Sequence, residues 1–509
     1  MKRHDVLIVG AGPTGLALAL WLARQGIGLR IIDKASGPGT TSRAMAVQAR
    51  ILELYRQLDI AEAVAAAGHR NPAINVWTGG KRRAHLSLGT AGATLTPYPF
   101  VLFYPQDHHE RLLISRLQAF GIEVERDTEL IDFAEAGDHV TARLRGRDGE
   151  QRCEARYIAG CDGAHSAVRH TLGTGFVGGT YRHMFYVADV EASGLAAGEA
   201  HVAFAHSDFV ALLPYGTQGP SRLIGAVRDE RAERGESLTF HDVAHQAIES
   251  LGLRIEKVNW FSTYRVHHRL TDHFRHGRAF LLGDAAHVHS PVGGQGMNTG
   301  LGDAINLAWK LAAVLRDGAP DSLLDSFETE RHAFARRLVE TTDRVFTVVT
   351  SETRLADFVR TRIAPQIANL AFRIPAVREA AFRTVSQLLL NYRESPLSQG
   401  KAGEVQGGDR LPWVAQDRSD NHAPLSAIAW QVHVYGAAPA DLEAWCAQHA
   451  MPLHVYAWRP EHGAAGFARD AAYLMRPDTY VALADPQPSA AALTRYFAAL
   501  GYVPRAVSQ

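Results

Sequence analysis

Three glycines and one acid near the N-terminus form the first pattern with chemical content. Gly10-x-Gly12-x-x-Gly15 follows the apolar run DVLIVG and opens LALALWLARQG, and a further apolar run, LRIID, ends in Asp33. Glycines at these spacings let a backbone come close to a pyrophosphate. The free N–H groups at a helix start attract its charge, and a carboxylate about 20 residues on can accept from ribose hydroxyls. Pro13 fits the first turn of that helix, where a missing N–H costs nothing, and Lys34 beside Asp33 is assigned to the same site. This fingerprint marks a dinucleotide without separating NAD from FAD.

A second glycine-rich stretch, GDAAHVHSPVGGQGMNTGLGDA, spans residues 283–304. It holds Gly283, Asp284, Pro291, Gly294 and Gly296, and it enters an apolar helix at Met297 and Asn298. Such a loop also brings bare backbone against something, and the helix start beyond it favours negative charge. His287 and His289 invite a metal reading, but two histidines with no further acid or cysteine in a zinc pattern fit packing or polar-loop roles better.

Four strand-to-helix segments position these groups. KASGPGTTSRAMAVQARILELYRQLDI carries Arg43 and then Ile51, Leu54 and Leu58 at helical spacing; YPQDHHERLLISRLQAFGIEVE carries Gln106. ARYIAGCDGAHSAVRHTLG runs from an apolar strand through Asp162 to a helix with Arg169. Asp162 reads either as a buried helix-capping acid or as a group acting at the site, and Arg169 as a surface helix arginine. The fourth segment is GRAFLLG followed by the second glycine loop.

The chain of 509 residues is long enough for two or three domains. Lys plus Arg (53) equals Asp plus Glu (53), so no global field favours nucleic acid or an anionic membrane. Three cysteines without CxxC spacing argue against a disulfide framework or a cysteine zinc site. Asp5, Pro13 and the glycines interrupt the apolar N-terminus, so it does not read as a signal peptide, and no run approaches a membrane span. The expectation is a soluble, cytoplasmic protein.

Residues 176–275 alternate as half-buried strands do. FVALLP puts Phe209, Ala211 and Leu213 on one face, which lines either an apolar pocket or plain sheet core. His201, His206 and Tyr215 are acid–base candidates that also fit structural roles. Arg182 and Arg222 fall outside AHVAFAHSDFVALLPYG, so nothing within it would clamp a carboxylate. Long helical periodicity follows, then LSQGKAGEVQGGDRLPW, read as a linker, and then a small unit of strands and helices.

The ordered set of GxGxxG, CDGAHSAVR and LLGDAAHVHSP resembles the FAD-dependent aromatic hydroxylases, single-component flavoprotein monooxygenases, over residues 1 to about 350. The resemblance implies an α/β fold. A Rossmann-like FAD-binding domain would occupy 1–175 and 276–350, and an antiparallel-sheet substrate domain 176–275. Closing helices and a linker would fill 351–400, before a thioredoxin-like C-terminal domain, 401–509, that lacks CxxC and supports a homodimer. Asp33 departs from the Glu more usual in that family.

The resemblance also implies roles. Gly10, Gly12 and Gly15 face the FAD pyrophosphate, Arg43 neutralises it, and Gln106 and Asp284 bond the ribityl chain. Asp162 supports FAD and the docking of NADH or NADPH. Pro291, Gly294 and Gly296 lie along the isoalloxazine, with the N–H groups of Met297 and Asn298 at its N1–C2=O edge. The Pro291 carbonyl is placed to accept from a phenol. The implied reaction uses NAD(P)H and dioxygen to hydroxylate a neutral phenolic or polycyclic aromatic through a flavin hydroperoxide. Epoxidation, Baeyer–Villiger-like insertion and antibiotic-inactivating hydroxylation keep the same motifs. A halogenase would need a Trp-x-Trp-x-Ile-Pro segment, which the chain lacks, and a disulfide reductase a redox cysteine pair. A flavin-binding sensor without turnover is the alternative from another class.

Overall fold

DVLIVG is apolar at every position that would face either side, as a strand covered on both faces must be. In the computed structural model, which describes residues 3–39, 44–195, 198–205, 208–216, 219–227, 238–243, 248–249, 251–290, 294–350, 359–416 and 419–504, it forms His4–Val9 in a seven-stranded sheet. Leu29–Ile32 lies on one side of it and Gly149–Gly160 on the other, with Ala279–Leu281 beyond, all parallel. Val9 pairs with Ile32 and with Gly160, and Gly160 with Leu281, so four strands end at one level. That shared level carries Gly10, Asp33, Asp162 and Gly283. In open parallel sheets this is where ligands bind.

Four helices matter for the site: α1 (Pro13–Arg24), α2 (Ala49–Tyr55), α3 (Gln106–Gln118) and α4 (Gly296–Ala312). α1 and α4 pack closely because Gly283 and Gly300 both sit against Thr14; a Cβ on Gly283 would lie 2.7 Å from its hydroxyl. The apolar faces of both helices enter one core with the parallel strands.

A second, eight-stranded sheet runs in the order His287–Val288, Arg254–Thr271, Phe176–Ser193, Ser221–Val227, Asp208–Pro214, Ala200–Ala205, Ala73–Thr78, Lys81–Ser87. It therefore draws its last two strands from residues 73–87, outside the 176–275 range read from the sequence; Ala200–Ala205 pairs with Ala73–Thr78 in parallel. One face is closed by Leu238, Val243, Ile248 and Leu251 over Val210, Leu212 and Leu223.

The segment read as a linker is not one. Gln399–Ala402 and Val405–Gln406 are strands of a six-stranded C-terminal sheet, and Gln399–Ala402 pairs in parallel with Val481–Asp485. Its glycines serve close backbone approach: Gly400 has φ +73° and faces the Ala484 carbonyl, and Gly408 has φ +91° and faces Tyr392. Glycine richness there marks tight packing, which composition alone does not distinguish from flexibility.

Candidate active site

The three glycines of the first loop do different work. A Cβ on Gly10, whose φ is +100°, would strike the Cys161 carbonyl, and one on Gly15 would overlap the Gly10 carbonyl oxygen. Packing between strand, turn and helix therefore explains both. Gly12, at the N-cap of α1, has nothing within 4 Å of its Cβ position, no side chain caps the helix, and its first turn holds no acid. Protein packing does not explain Gly12, and its position leaves the start of α1 open to approach.

Asp33 lies beside this loop. Its Oδ2 accepts from Ala11 N (2.6 Å) and its Oδ1 from Ala35 N (2.8 Å), so the carboxylate is held at the loop's edge with lone pairs to spare. Lys34 is exposed. Gln106 begins α3: its Oε1 accepts from Ala44 N (3.3 Å) and its Nε2 donates to Glu110 (2.9 Å). Glu110 in turn accepts from Gly39 N (3.0 Å). The two ends of the 40–43 segment are thus pinned to the first turn of α3, and Glu110, which the sequence reading passed over, is half of that clamp. Arg43, Pro291, Gly293 and His206 lie outside the described residues.

Of its two readings, the structure shows Asp162 as a helix-capping acid. Its Oδ2 accepts from Val168 N (3.2 Å), a capping role, while its Oδ1 is buried without a protein partner. Burial raises its pKa above the ordinary aspartate value. An unpartnered buried carboxylate oxygen at the mouth of a ligand-binding sheet calls for a donor from the ligand.

Behind the second loop stands Asp303 on α4, fully buried. Its Oδ2 accepts from Gly283 N (3.0 Å) and from His287 Nε2 (2.8 Å), and its Oδ1 from Arg331 Nε (2.6 Å). Although burial opposes its charge, Arg331 and His287 hold the Asp303 pKa below the usual range. His287 is thus tied to Asp303 behind the loop, and its ring stacks on Phe274 and His289. Burial lowers the His289 pKa to about 4, keeping that ring neutral. Among the described residues no three His, Cys, Asp or Glu gather as a metal site. Arg169 corrects the sequence reading. It is buried, donates to the carbonyls of Ala285 (2.9 Å) and Ala164 (2.7 Å), and lies over Phe176. It ties the Asp162 turn to the Asp284 turn; Asp284 itself is exposed.

At the start of α4, Asn298 has its side chain committed to protein: Oδ1 accepts from Gln48 N (2.9 Å), and Nδ2 donates to Ala46 O (2.9 Å) and Gly294 O (2.8 Å). Gly294, with φ +61°, would set a Cβ 2.8 Å from that of Ala46. No side chain caps α4 and no acid stands in its first turn, so the N–H groups of Gly296, Met297 and Asn298 head a second uncapped helix start.

The sheet face that carries the other sequence-derived candidates packs beside Met45 and Phe103. Phe209, Ala211 and Leu213 are half-buried and alternate with Val210 and Leu212, which enter the core on the other side. Phe209 meets Phe185 (5.9 Å between ring centres), and Leu213 and Tyr215 pack with Met45 and Phe103 beside α2 and α3. Arg222 is the cross-strand neighbour of Leu213 and of Asp189. It bonds Asp189 through Nε (2.9 Å) and Nη2 (3.0 Å), and Tyr215 bonds both, so the charges on this face cancel locally. Tyr215 is raised far from base-like behaviour, chiefly by burial. His201 faces the opposite core, where it accepts from Trp77 Nε1 (3.2 Å).

The residues fit FAD. Two uncapped helix starts, the open approach at Gly12, the ribose-side acid Asp33 and the unpartnered Asp162 oxygen match an extended dinucleotide with an anionic middle and a polar ring edge. Comparison with known proteins agrees. The FAD binding domain model matches residues 3–342. The 6-methylpretetramide 4-monooxygenase of Streptomyces rimosus is 36% identical over 439 residues, covering 83% of this chain and 76% of that protein. The pentachlorophenol 4-monooxygenase of Sphingobium chlorophenolicum is 32% identical over 425 residues, 80% of this chain and 75% of that one. The solved anhydrotetracycline hydroxylase OxyS from Streptomyces rimosus shares 26% identity, with 99% of each chain covered and a TM-score of 0.78. No helix among the described residues is long and apolar enough to cross a membrane. The chain belongs to the FAD-dependent aromatic hydroxylases and is an FAD-dependent monooxygenase reduced by NAD(P)H.

Proposed function

We propose that this monooxygenase hydroxylates a neutral phenolic or polycyclic aromatic, using dioxygen, beneath the Phe209–Ala211–Leu213 face. The observation that carries the reading is that face itself: apolar, half-buried, with its buried Arg222 already neutralised by Asp189. Among the described residues a substrate carboxylate would find no spare cation on that face, whereas a flat apolar ring system would find Phe209 and Leu213. The relatives acting on pretetramide and pentachlorophenol are consistent with aromatic substrates of differing size.

FAD, once reduced, supplies the oxygen-transfer chemistry. The chain supplies placement. Gly10, Gly12, Gly15 and Pro13 form the pyrophosphate turn, with Asp33, Lys34 and Arg43 around the adenosine and phosphates. Gln106, Asp162, Gly283 and Asp284 hold the middle of the cofactor. Pro291, Gly294, Gly296, Met297 and Asn298 offer backbone to its ring, and the Pro291 carbonyl is assigned to accept the substrate hydroxyl. The sheet face excludes water from the ring.

The same reading divides the chain into a FAD-binding unit (1–175 and 276–350), a substrate sheet (176–275, with the strands of 73–87 added), closing helices to residue 400 and a thioredoxin-like C-terminal unit. The six-stranded sheet with helices Ala440–Gln448 and Ala490–Leu500 supports the last assignment. The C-terminal unit is assigned to homodimer contact, and the enzyme to the cytoplasm, where its nicotinamide donor is made.

The test is anaerobic stopped-flow reduction of the holoenzyme by NADH and NADPH across neutral and carboxylated phenols and polycyclic aromatics. Strong acceleration by a neutral aromatic is expected. Acceleration only by carboxylated compounds would overturn the substrate class, and a flavin that neither donor reduces would replace catalysis with a sensor role.

A further inference from the structure

A cleft lies between α2, α4 and residues of the C-terminal unit. Arg50, Ile51, Asn306, Arg331, Tyr392 and Asp478 line it, and it encloses about 330 Å³ including its open mouth. Its charges are buried and do not balance. Arg50 and Arg410 both pair with Glu53, Arg331 pairs with Asp303, and Lys310 and Arg476 share Glu330 and Asp478. Arg50, Arg331 and Asp478 line the cleft itself and the other six groups stand behind them, five cations to four carboxylates. Burial lowers the Lys310 pKa, and Glu330 at 2.8 Å works in the opposite direction to hold its charge. The neighbouring pairs Arg56–Asp420 and Arg393–Asp409 are each balanced and leave the excess unchanged.

The hydrogen-bond inventory points the same way. Arg50 is only 2% exposed; its Nη1 donates to Glu53 (3.2 Å) and its Nη2 to Asp478 O (3.2 Å) and the Thr479 hydroxyl (2.7 Å), but its Nε has no partner. Of the five N–H groups on Arg331, three serve Asp303, Tyr392 and Thr299. A buried guanidinium with an unused donor, inside a cluster carrying one surplus positive charge, is costly unless an anion offsets it.

We propose that this cleft binds one small monovalent anion of halide type, which locks the C-terminal unit against α2 and α4. The cleft's charged lining groups are Arg50, Arg331 and Asp478, set among Ile51, Leu54 and Tyr392, so a small anion beside the two guanidinium groups fits it better than a second aromatic ring system. A water could fill the space but would leave the surplus charge in place.

Two measurements on the full-length holoenzyme decide it. Crystals grown in bromide should show an anomalous peak within hydrogen-bond distance of Arg50 Nε. Thermal unfolding at fixed ionic strength should give a higher Tm in chloride than in gluconate, rising with the logarithm of chloride above saturation. Arg50→Gln, which removes both the donor and the surplus charge, should abolish that difference; Arg50→Lys, which keeps the charge, should retain part of it. Equal Tm values in the two salts, or bromide crystals without a peak in the cleft, would overturn the proposal. A peak without any salt dependence of Tm would mean binding at crystal concentration only, and counts against it as well.

Discussion

The sharpest consequence of the glycine loop concerns two substitutions that sequence alone would treat alike. Gly12→Ala places its methyl where nothing lies within 4 Å, at φ −77° and ψ −176°, a conformation open to any residue. Lower chain entropy in the unfolded state favours alanine by roughly 0.4–1 kcal/mol, and the weaker N-cap preference of alanine takes away a similar amount. Apo stability should therefore change by less than about 1 kcal/mol. FAD affinity should fall by at least about 100-fold, or roughly 2.7 kcal/mol, because the added methyl occupies the approach to the α1 N–H groups. Gly15→Ala does the reverse: its methyl overlaps the Gly10 carbonyl oxygen, so the apoprotein itself should lose more than about 3 kcal/mol or fail to fold. Urea unfolding of the apoproteins and fluorescence titration of FAD separate the two effects. Normal FAD binding by Gly12→Ala would refute the assignment of that turn to the pyrophosphate.

The structure makes three further predictions. Arg331→Met strands the buried Asp303 carboxylate and should cost about 3–5 kcal/mol and weaken FAD retention; adding Asp303→Asn should recover part of the stability, and a double variant no better than the single would show the pair uncoupled. Burial lowers the pKa of His109, His289 and His422 to about 4, below the ~6.5 of an unfolded histidine, so the unfolded chain takes up protons first. Their stability contribution is complete above pH 6.5 and drains away between 6.5 and 4, by about 3 kcal/mol for His109 alone; a urea midpoint unchanged from pH 7 to 5 would contradict this. Phe209→Ala should raise the KM for the aromatic substrate several-fold while leaving the FAD dissociation constant and the Tm nearly unchanged, whereas a purely core Phe209 would lower the Tm by several degrees and spare KM.

What was legible in the sequence follows a physical rule. Positions whose residue type is dictated locally could be read: Gly15 in the turn it shares with Gly10, Asp33 at a strand end, and Phe209, Ala211 and Leu213 by period-two alternation. Positions that depend on a partner distant in the chain could not. Arg169 looked like a surface arginine because its acceptor, the Ala285 carbonyl, lies 116 residues away. Glycines at 400, 403, 407 and 408 looked like a flexible linker because the backbones they approach, at 484, 466, 399 and 392, are not adjacent in sequence. Asp303 is the instructive middle case. It stands in a second Gly-Asp pair, GLGDA, about two turns into α4, and a carboxylate at a helical position that must be buried signals a buried cation. The sequence offered Arg331 as one of many arginines; only the packing of α4 selects it. Because the same Asp303 grips Gly283, His287 and Arg331, the loop proposed to meet the flavin is held by charge from behind. Its rigidity should therefore respond to mutations at Arg331, which is distant in sequence from every recognisable motif.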